Sequence, residues 1–448
     1  MAISLRDPKA AHKEFVLTPW SAQAAIEPPV IVRADGVAMY DADGKRYIDA
    51  SSGLIAVNLG HGHPHVVAAM KEQIDRVCYV PPNLFNDRRA ELAEMLAKLA
   101  PWSEGARAYF TTCGTTANED AVKLARTISG RAKVLTAYRS FHGSSMGATA
   151  LTGENRRWPN EASAMSGVVH FFAPYPYRSP FYTTEPAEEC RRALDHLRAV
   201  MLAEDPERIA ALLIEPVVGS NGVIVYPEGY LAGIRRLCDE FGILLIFDEV
   251  MTGFGRVGAA FGGERYGVKP DLMTFAKGVT SAYVPLGGVL IREKLAAYFD
   301  DRAMWMGHTY SGHPLAMATA IAALEAYAAE DLFARAAAME ARLRSHLLAL
   351  QAKHDILGDV RGAGAFFALE FVSDRAQRTP LVPWQGKTQG VMPTIFGSLR
   401  KRGVYAFGRY NLVHIAPPLI ATDDDLAEIA DALDGAIGDL ADAWVAAR

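Results

Sequence analysis

Two apolar runs in the middle of the chain, each ending abruptly in charge, constrain the fold more than any other feature. Residues 243–247 (ILLIF) stop at Asp248 and Glu249, and residues 272–276 (LMTFA) stop at Lys277 and Gly278. A short run without polar alternation is a strand buried on both faces, as in a parallel sheet covered by helices. Sheets of that kind bind ligands beyond the carboxyl ends of their strands. An amine that can act as a nucleophile and an acid that can answer a positive charge are therefore expected together on one ligand-binding edge.

The rest of the middle keeps the same rhythm. Strands are expected at 108–111 (AYFT), 133–138 (KVLTAY), 210–214 (AALLI) and 288–291 (GVLI), with helices from about Ala117 and over 230–241. In the first helix Ala117, Ala121, Leu124, Ala125 and Ile128 share a face, and Gly130 is placed to end it. Strands alternating with helices wind through right-handed crossovers into a mostly parallel α/β sheet. The ends read differently. The first 50 or so residues hold short strands around Asp35-Gly36 and Asp43-Gly44, a small meander. After one long helical stretch over 314–353 come a strand at 366–372, a helix near 390–402, a strand running into Pro417-Pro418, and a last helix. Thr422 and Asp425 form a capping box for that helix. The expected layout is a large central domain (51–330) and a small α+β domain built from both termini (1–50 and 331–448).

Composition narrows the partners. Lys and Arg number 46 against 51 Asp and Glu, a net charge of −5, and no basic run is present, so neither nucleic acid nor an anionic membrane is an expected partner. No apolar run is long enough to span a bilayer. The opening MAISLRDPKAAHKEF has no apolar signal core, and a cytoplasmic location is expected. Cys78, Cys113, Cys190 and Cys238 are far apart with no C-x-x-C pair, and read as reduced thiols. The GHGHP segment with His61 and His63 reads as a turn, and no metal is expected.

A lysine and an acid meeting in this way suit pyridoxal phosphate, where the amine forms a Schiff base and the acid keeps the pyridine nitrogen protonated. The surrounding residues are more specific. LLIFDEVMTGFGRVG followed by PDLMTFAKGVTSAYVPLGGVLI resembles the class III aminotransferases, and the resemblance extends over nearly the whole chain. It implies a fold-type I pyridoxal-phosphate-dependent transferase, with Lys277 as Schiff-base lysine and proton carrier. It makes Asp248 the partner of the ring nitrogen and Val250 the apolar wall beneath the ring, whereas Glu249 points away and is structural. In FTTCGTTANEDAVKLAR it places Gly114 and Thr115 on the phosphate, at a helix start suited to anions. Cys113 and Thr116 stand where Ser and Glu are more usual, a change that backbone donors tolerate.

The resemblance also makes Phe141 an aromatic stacked on the outer face of the cofactor, the alternative being a core residue, and makes His142 a positioning residue. Glu215 falls near O3′ of the cofactor or the substrate entry, or is structural. Thr309, in MGHTYS, matches a threonine that reaches the phosphate of a neighbouring subunit; a plain loop threonine would need no partner. A homodimer with shared sites, or a tetramer, follows from the first reading.

Substrate residues are read from departures. In GVYAFGRYNLVHIAPPL the family's carboxylate-binding arginine position holds Phe407, and Arg409 lies two residues on, the same face of a strand. Arg409 either grips a carboxylate bidentately or makes a surface salt bridge. Ile55 stands where several amine transaminases carry Trp, which reshapes the amine pocket, and Trp20 adds an aromatic wall or lies in the core. TPWSAQ, FFAPYPYRSPF and DEVMTGFGR are closest to the taurine or ω-amino-acid branch. The expected reaction is ping-pong transfer of an amino group from an amine or ω-amino acid to pyruvate or 2-oxoglutarate. A pyridoxal-phosphate-dependent aminomutase or decarboxylating transaminase is the alternative.

Overall fold

The two apolar runs are adjacent inner strands of a seven-stranded sheet in a computed structural model that describes residues 7–386 and 389–447. Ahead of that sheet, β1 (Ile31–Asp35), β2 (Ala38–Asp41) and β3 (Arg46–Asp49) form the antiparallel meander. The large sheet comprises β4 (Ala106–Thr111), β5 (Lys133–Ala137), β6 (Val168–Phe171), β7 (Ile209–Ile214), β8 (Leu244–Asp248), β9 (Leu272–Phe275) and β10 (Gly287–Arg292). Their spatial order is β4-β10-β9-β8-β7-β5-β6. The pairings from β6 across to β9 are parallel, and β10 runs against both β9 and β4. Every residue of β7 and β9 is buried, which is why these strands read as unbroken apolar runs. The edge strand β6 buries Phe171 alone and so leaves no such trace.

Two helical expectations need correction. The helix expected from Ala117 begins earlier, as Gly114–Ser129, because its polar first turn carries no apolar periodicity. The stretch 314–353 is two helices, Pro314–Ala329 and Leu332–Lys353. Asp331 breaks it by adopting a φ of 50°, with no glycine or proline to announce the turn.

The C-terminal part adds β11 (Leu357–Ala363), β12 (Phe366–Asp374), β13 (Thr379–Pro380), β14 (Val404–Tyr405), β15 (Phe407–Arg409) and β16 (Leu412–Ile415). β14 pairs in parallel with β3, so the two ends of the chain share a sheet. The strand expected to run into Pro417-Pro418 is instead a hairpin: β15 and β16 are antiparallel and the chain reverses at Tyr410, with a φ of 54°. The final helix, Asp423–Ala446, starts with the Thr422–Asp425 capping box. Among the described residues no helix is long and apolar enough to cross a membrane.

Candidate active site

β8 and β9 pair in parallel with Asp248 opposite Thr274, so Asp248 and Lys277 leave the sheet at the same edge. Lys277 has a φ of 45°, in the left-handed region that costs a residue with a Cβ about 1–3 kcal/mol. The Thr280 and Ala282 N–H groups hold its carbonyl at 3.3 and 3.4 Å. Burial lowers the pKa of its amine against the opposing pull of Asp248 and Glu215, which enlarges the neutral, nucleophilic fraction.

Asp248 is clamped. Asn118 Nδ2 and His142 Nδ1 donate to its Oδ2 at 2.8 and 2.7 Å, and the Val250 N–H donates to Oδ1 at 3.0 Å. With Nδ1 donating, the His142 ring carries a proton on that nitrogen. Asn118 is itself fixed, donating to the His142 carbonyl at 2.9 Å and accepting from Thr274 Oγ1 at 2.7 Å. Sequence reasoning missed Asn118; the available signal was an amide one turn into the helix that follows the glycine turn. Glu249 is fully buried elsewhere, accepting from the Gly262 and Gly263 N–H groups at 2.8 and 2.7 Å.

A cavity of about 370 Å³ opens between these groups, with Asp248, Lys277, Val250, Phe141 and His142 on its walls. Gly114 and Thr115 also line it, at the start of the helix Gly114–Ser129. The helix ladder begins with the Ala117 N–H donating to the Cys113 carbonyl at 3.0 Å, leaving the earlier amides for an anion. A Cβ on Gly114 would lie 2.9 Å from both Val250 methyl groups, so only glycine lets the helix start approach that wall. Glu215, at the end of β7, accepts from the Phe141 N–H (3.0 Å) and the Gly219 N–H (2.7 Å). Burial pushes its pKa up to about 7.

A second cavity, about 680 Å³, shares Phe141, Met251 and Lys277 with the first. Ile55, Trp20 and Arg409 line it. The core alternative for Trp20 is corrected: the residue is 63% exposed, at the rim of this cavity, since its N-terminal segment lies on the surface. Arg409 is partly buried and bonds Glu154 Oε2 at 2.6 Å, Asn155 Oδ1 at 2.7 Å and the Tyr410 hydroxyl at 2.8 Å. Arg156 was not anticipated. Its guanidinium lies 3.6 Å from the centre of the Phe141 ring and donates to Ser220 Oγ at 3.1 Å. Nothing in ENRRWPN separates it from Arg157; the fold turns Arg156 to the cavity while Arg157 pairs with Glu161 at 2.9 Å. Thr309 lines neither cavity of its own chain, is exposed, and accepts at its carbonyl from the Tyr79 hydroxyl at 3.0 Å.

Known proteins match this arrangement. The class-III aminotransferase family matches residues 21–437. The chain is 32% identical to the taurine–pyruvate aminotransferase of Bilophila wadsworthia, across 95% of this chain and 96% of that one. It is 33% identical to the omega-aminotransferase of Caulobacter vibrioides, across 92% and 94% respectively. The structure of the taurine:2-oxoglutarate aminotransferase from Bifidobacterium kashiwanohense, in complex with PLP and glutamate, matches with a TM-score of 0.93 at 41% identity, over 96% of each chain. The chain belongs to the class III aminotransferases. It is a fold-type I enzyme, a pyridoxal-phosphate-dependent transaminase that transfers an amino group to a keto acid.

The residues present fit that cofactor. The cavity offers a strained lysine for its carbonyl carbon, a clamped carboxylate for its ring nitrogen, and a glycine helix start for its phosphate. Val250 and Phe141 supply apolar walls for the ring.

Proposed function

We propose that this transaminase takes its amino group from an ω-amino acid with a distal carboxylate or sulfonate, or from a simple amine, and passes it to pyruvate or 2-oxoglutarate. The observation that carries this reading is the pair Arg156 and Arg409 on the wall of the cavity that also contains Lys277. Two guanidinium groups in the same cavity as the reacting amine suit substrates that bring an anionic group with them. The taurine-named relatives support the ω-amino-acid side of the reading.

Bound pyridoxal phosphate supplies an electron sink and stores the amino group between the half-reactions. Lys277 moves a proton off the substrate carbon in one half-reaction and returns it in the other. Asp248, held by Asn118, His142 and the Val250 N–H, is fixed to pair with the ring nitrogen. Gly114 and Thr115 bind the phosphate, Phe141 and Val250 confine the ring, and His142 positions Asp248. Glu215 orders the Phe141 backbone beside the entry, and Ile55 and Trp20 shape the amine side. Arg409 receives the keto acid carboxylate. Thr309, exposed and outside its own cavity, serves the site of a second copy, which makes the enzyme a homodimer with shared sites in the cytoplasm. The division into 51–330 and a small domain from the two ends is part of the same proposal.

A donor-by-acceptor screen of the purified enzyme tests it. Taurine, β-alanine and benzylamine are offered singly, then with pyruvate or 2-oxoglutarate. One equivalent of carbonyl product is expected from the donor alone and sustained turnover only with a keto acid. Continued turnover of a donor without any keto acid would replace the proposal with an isomerase.

A further inference from the structure

A third cavity, of about 310 Å³, lies apart from the two already described and shares no lining residue with either. It opens at the seam between the large sheet and the C-terminal strands. Tyr175 and Tyr177 reach it from the segment after β6, and Ile224 and Val225 from the loop between β7 and the helix Tyr230–Phe241. Asp359 and Arg361 belong to β11, and Arg378 to the connection between β12 and β13.

Charge is unbalanced around this cavity. Four guanidinium groups surround its two tyrosine rings. Arg139 and Arg361 lie 5.0 and 4.9 Å from the centre of Tyr175, and Arg178 and Arg378 lie 5.1 and 5.0 Å from that of Tyr177. Two carboxylates answer them. Glu370 pairs with Arg178 at 2.5 Å and with Arg361 at 2.7 Å, and Asp359 pairs with Arg361 at 2.7 Å. A third acid, Glu189, accepts from the Tyr175 N–H at 2.6 Å and is joined to none of the four. Arg378 donates to the Tyr177 carbonyl at 2.9 Å and Arg139 lies 4.1 Å from the Trp384 ring, and among the described residues neither has a carboxylate partner.

Hydrogen-bond donors are left over as well. Arg361 Nη2, Arg178 Nη2 and the Tyr177 hydroxyl are buried and bond nothing among the described residues. Burying a donor without an acceptor is costly, and burying a cation without an anion is more so. Gly222 makes room for Arg361: a Cβ there would come 2.6 Å from Nη2, and the Gly222 carbonyl accepts from Nε at 2.6 Å. We infer that this cavity is a binding site for a small oxyanion, a phosphate or a carboxylate, received by Arg361 and Arg378 with the Tyr177 hydroxyl as a further donor. Guanidinium groups offer paired N–H donors that fit the oxygens of either anion. Ile224 and Val225 give the short hydrocarbon part of a carboxylate an apolar wall. The occupant binds alongside cofactor and substrate, and it ties the β12–β13 connection to β11.

The test uses the cofactor-loaded enzyme, in which the cofactor's own phosphate site is filled, at constant chloride concentration. Inorganic phosphate and malonate are titrated separately by calorimetry. At least one is expected to bind with a Kd of about 1 mM or below, and the tighter of the two identifies the kind of anion. Arg378→Gln should weaken that binding at least about tenfold, and Tyr177→Phe about threefold. Arg409→Ala, in the larger cavity, should leave it unchanged. The bound anion should also raise the melting temperature, and Arg378→Gln should lose this rise while melting as the parent does without anion. Binding of neither anion overturns the proposal. So does binding that Arg409→Ala removes and Arg378→Gln keeps, or an equal rise in melting temperature in Arg378→Gln. Should Arg378→Gln not fold, Tyr177→Phe carries the test, and unweakened binding by that variant overturns the proposal.

Discussion

Lys277 combines two properties that an ordinary surface lysine lacks, a left-handed backbone and a buried amine whose pKa is lowered. Replacing it separates its roles from those of its neighbours. Lys277→Ala is expected to abolish the absorbance band of lysine-linked cofactor and to slow transamination by at least about a thousandfold, read in single-turnover donor reactions. A surviving band would discard the assignment. Asn118 acts at one remove, through Asp248. Asn118→Ala leaves Asp248 Oδ2 with His142 as its remaining side-chain donor, and about a tenfold loss in kcat is expected with little change in KM for the donor.

On the proposed reading, the start of the helix Gly114–Ser129 is where an element's geometry meets the cofactor. Gly114→Ala pushes a methyl group to 2.9 Å from the Val250 methyls, so helix start and ring wall must separate. At least about a tenfold loss of cofactor affinity is expected by equilibrium dialysis, whereas Thr115→Ala keeps the backbone donors and should lose less. The β15–β16 hairpin carries a different liability. His414 in β16 is fully buried, and burial pushes its pKa down from 6.5 to about 4. Below pH 6.5 the unfolded chain takes up a proton that the folded chain refuses, so the contribution is whole above 6.5 and is lost as pH falls toward 4. His414→Leu should therefore lose less melting temperature between about pH 7 and about pH 4.5 than the unsubstituted protein. An equal loss would show that other groups govern acid stability.

The whole molecule poses the question of shared sites, because Thr309 is exposed and lies outside the cavities of its own chain. If Thr309 serves a second copy, mixed dimers of Lys277→Ala and Thr309→Ala subunits contain one site with both groups intact. Cofactor affinity of the parent enzyme is then expected in one of the two sites of each isolated mixed dimer. Its absence would place Thr309 in its own subunit or outside the site. The meander closed by β14 beside β3 ties the beginning of the chain to its end, and the walls of the larger cavity draw on both. Removing either end should thus disturb the substrate pocket before the large sheet.

Much of this was legible in the chain. Lys277, Asp248 and Val250 could be placed at one sheet edge because strand burial and strand ends are local: a run of apolar residues marks both. The glycine-containing helix start was legible for the same reason, although its polar first turn hid the boundary at Gly114. The reversals at Asp331 and Tyr410 were not, since packing imposes a positive φ there on residues that seldom adopt one. Nor could Arg156, Glu154 or Asn118 be singled out, because their meaning lies in distant partners. Asn155 meets Arg409 across 254 positions of sequence, and Asn118 meets Asp248 across 130. A buried sheet with an amine and an acid on its edge follows from local pattern. Which arginines line the cavity, and which buried acid pairs with them, is fixed only in three dimensions, because charges are compensated by neighbours in space.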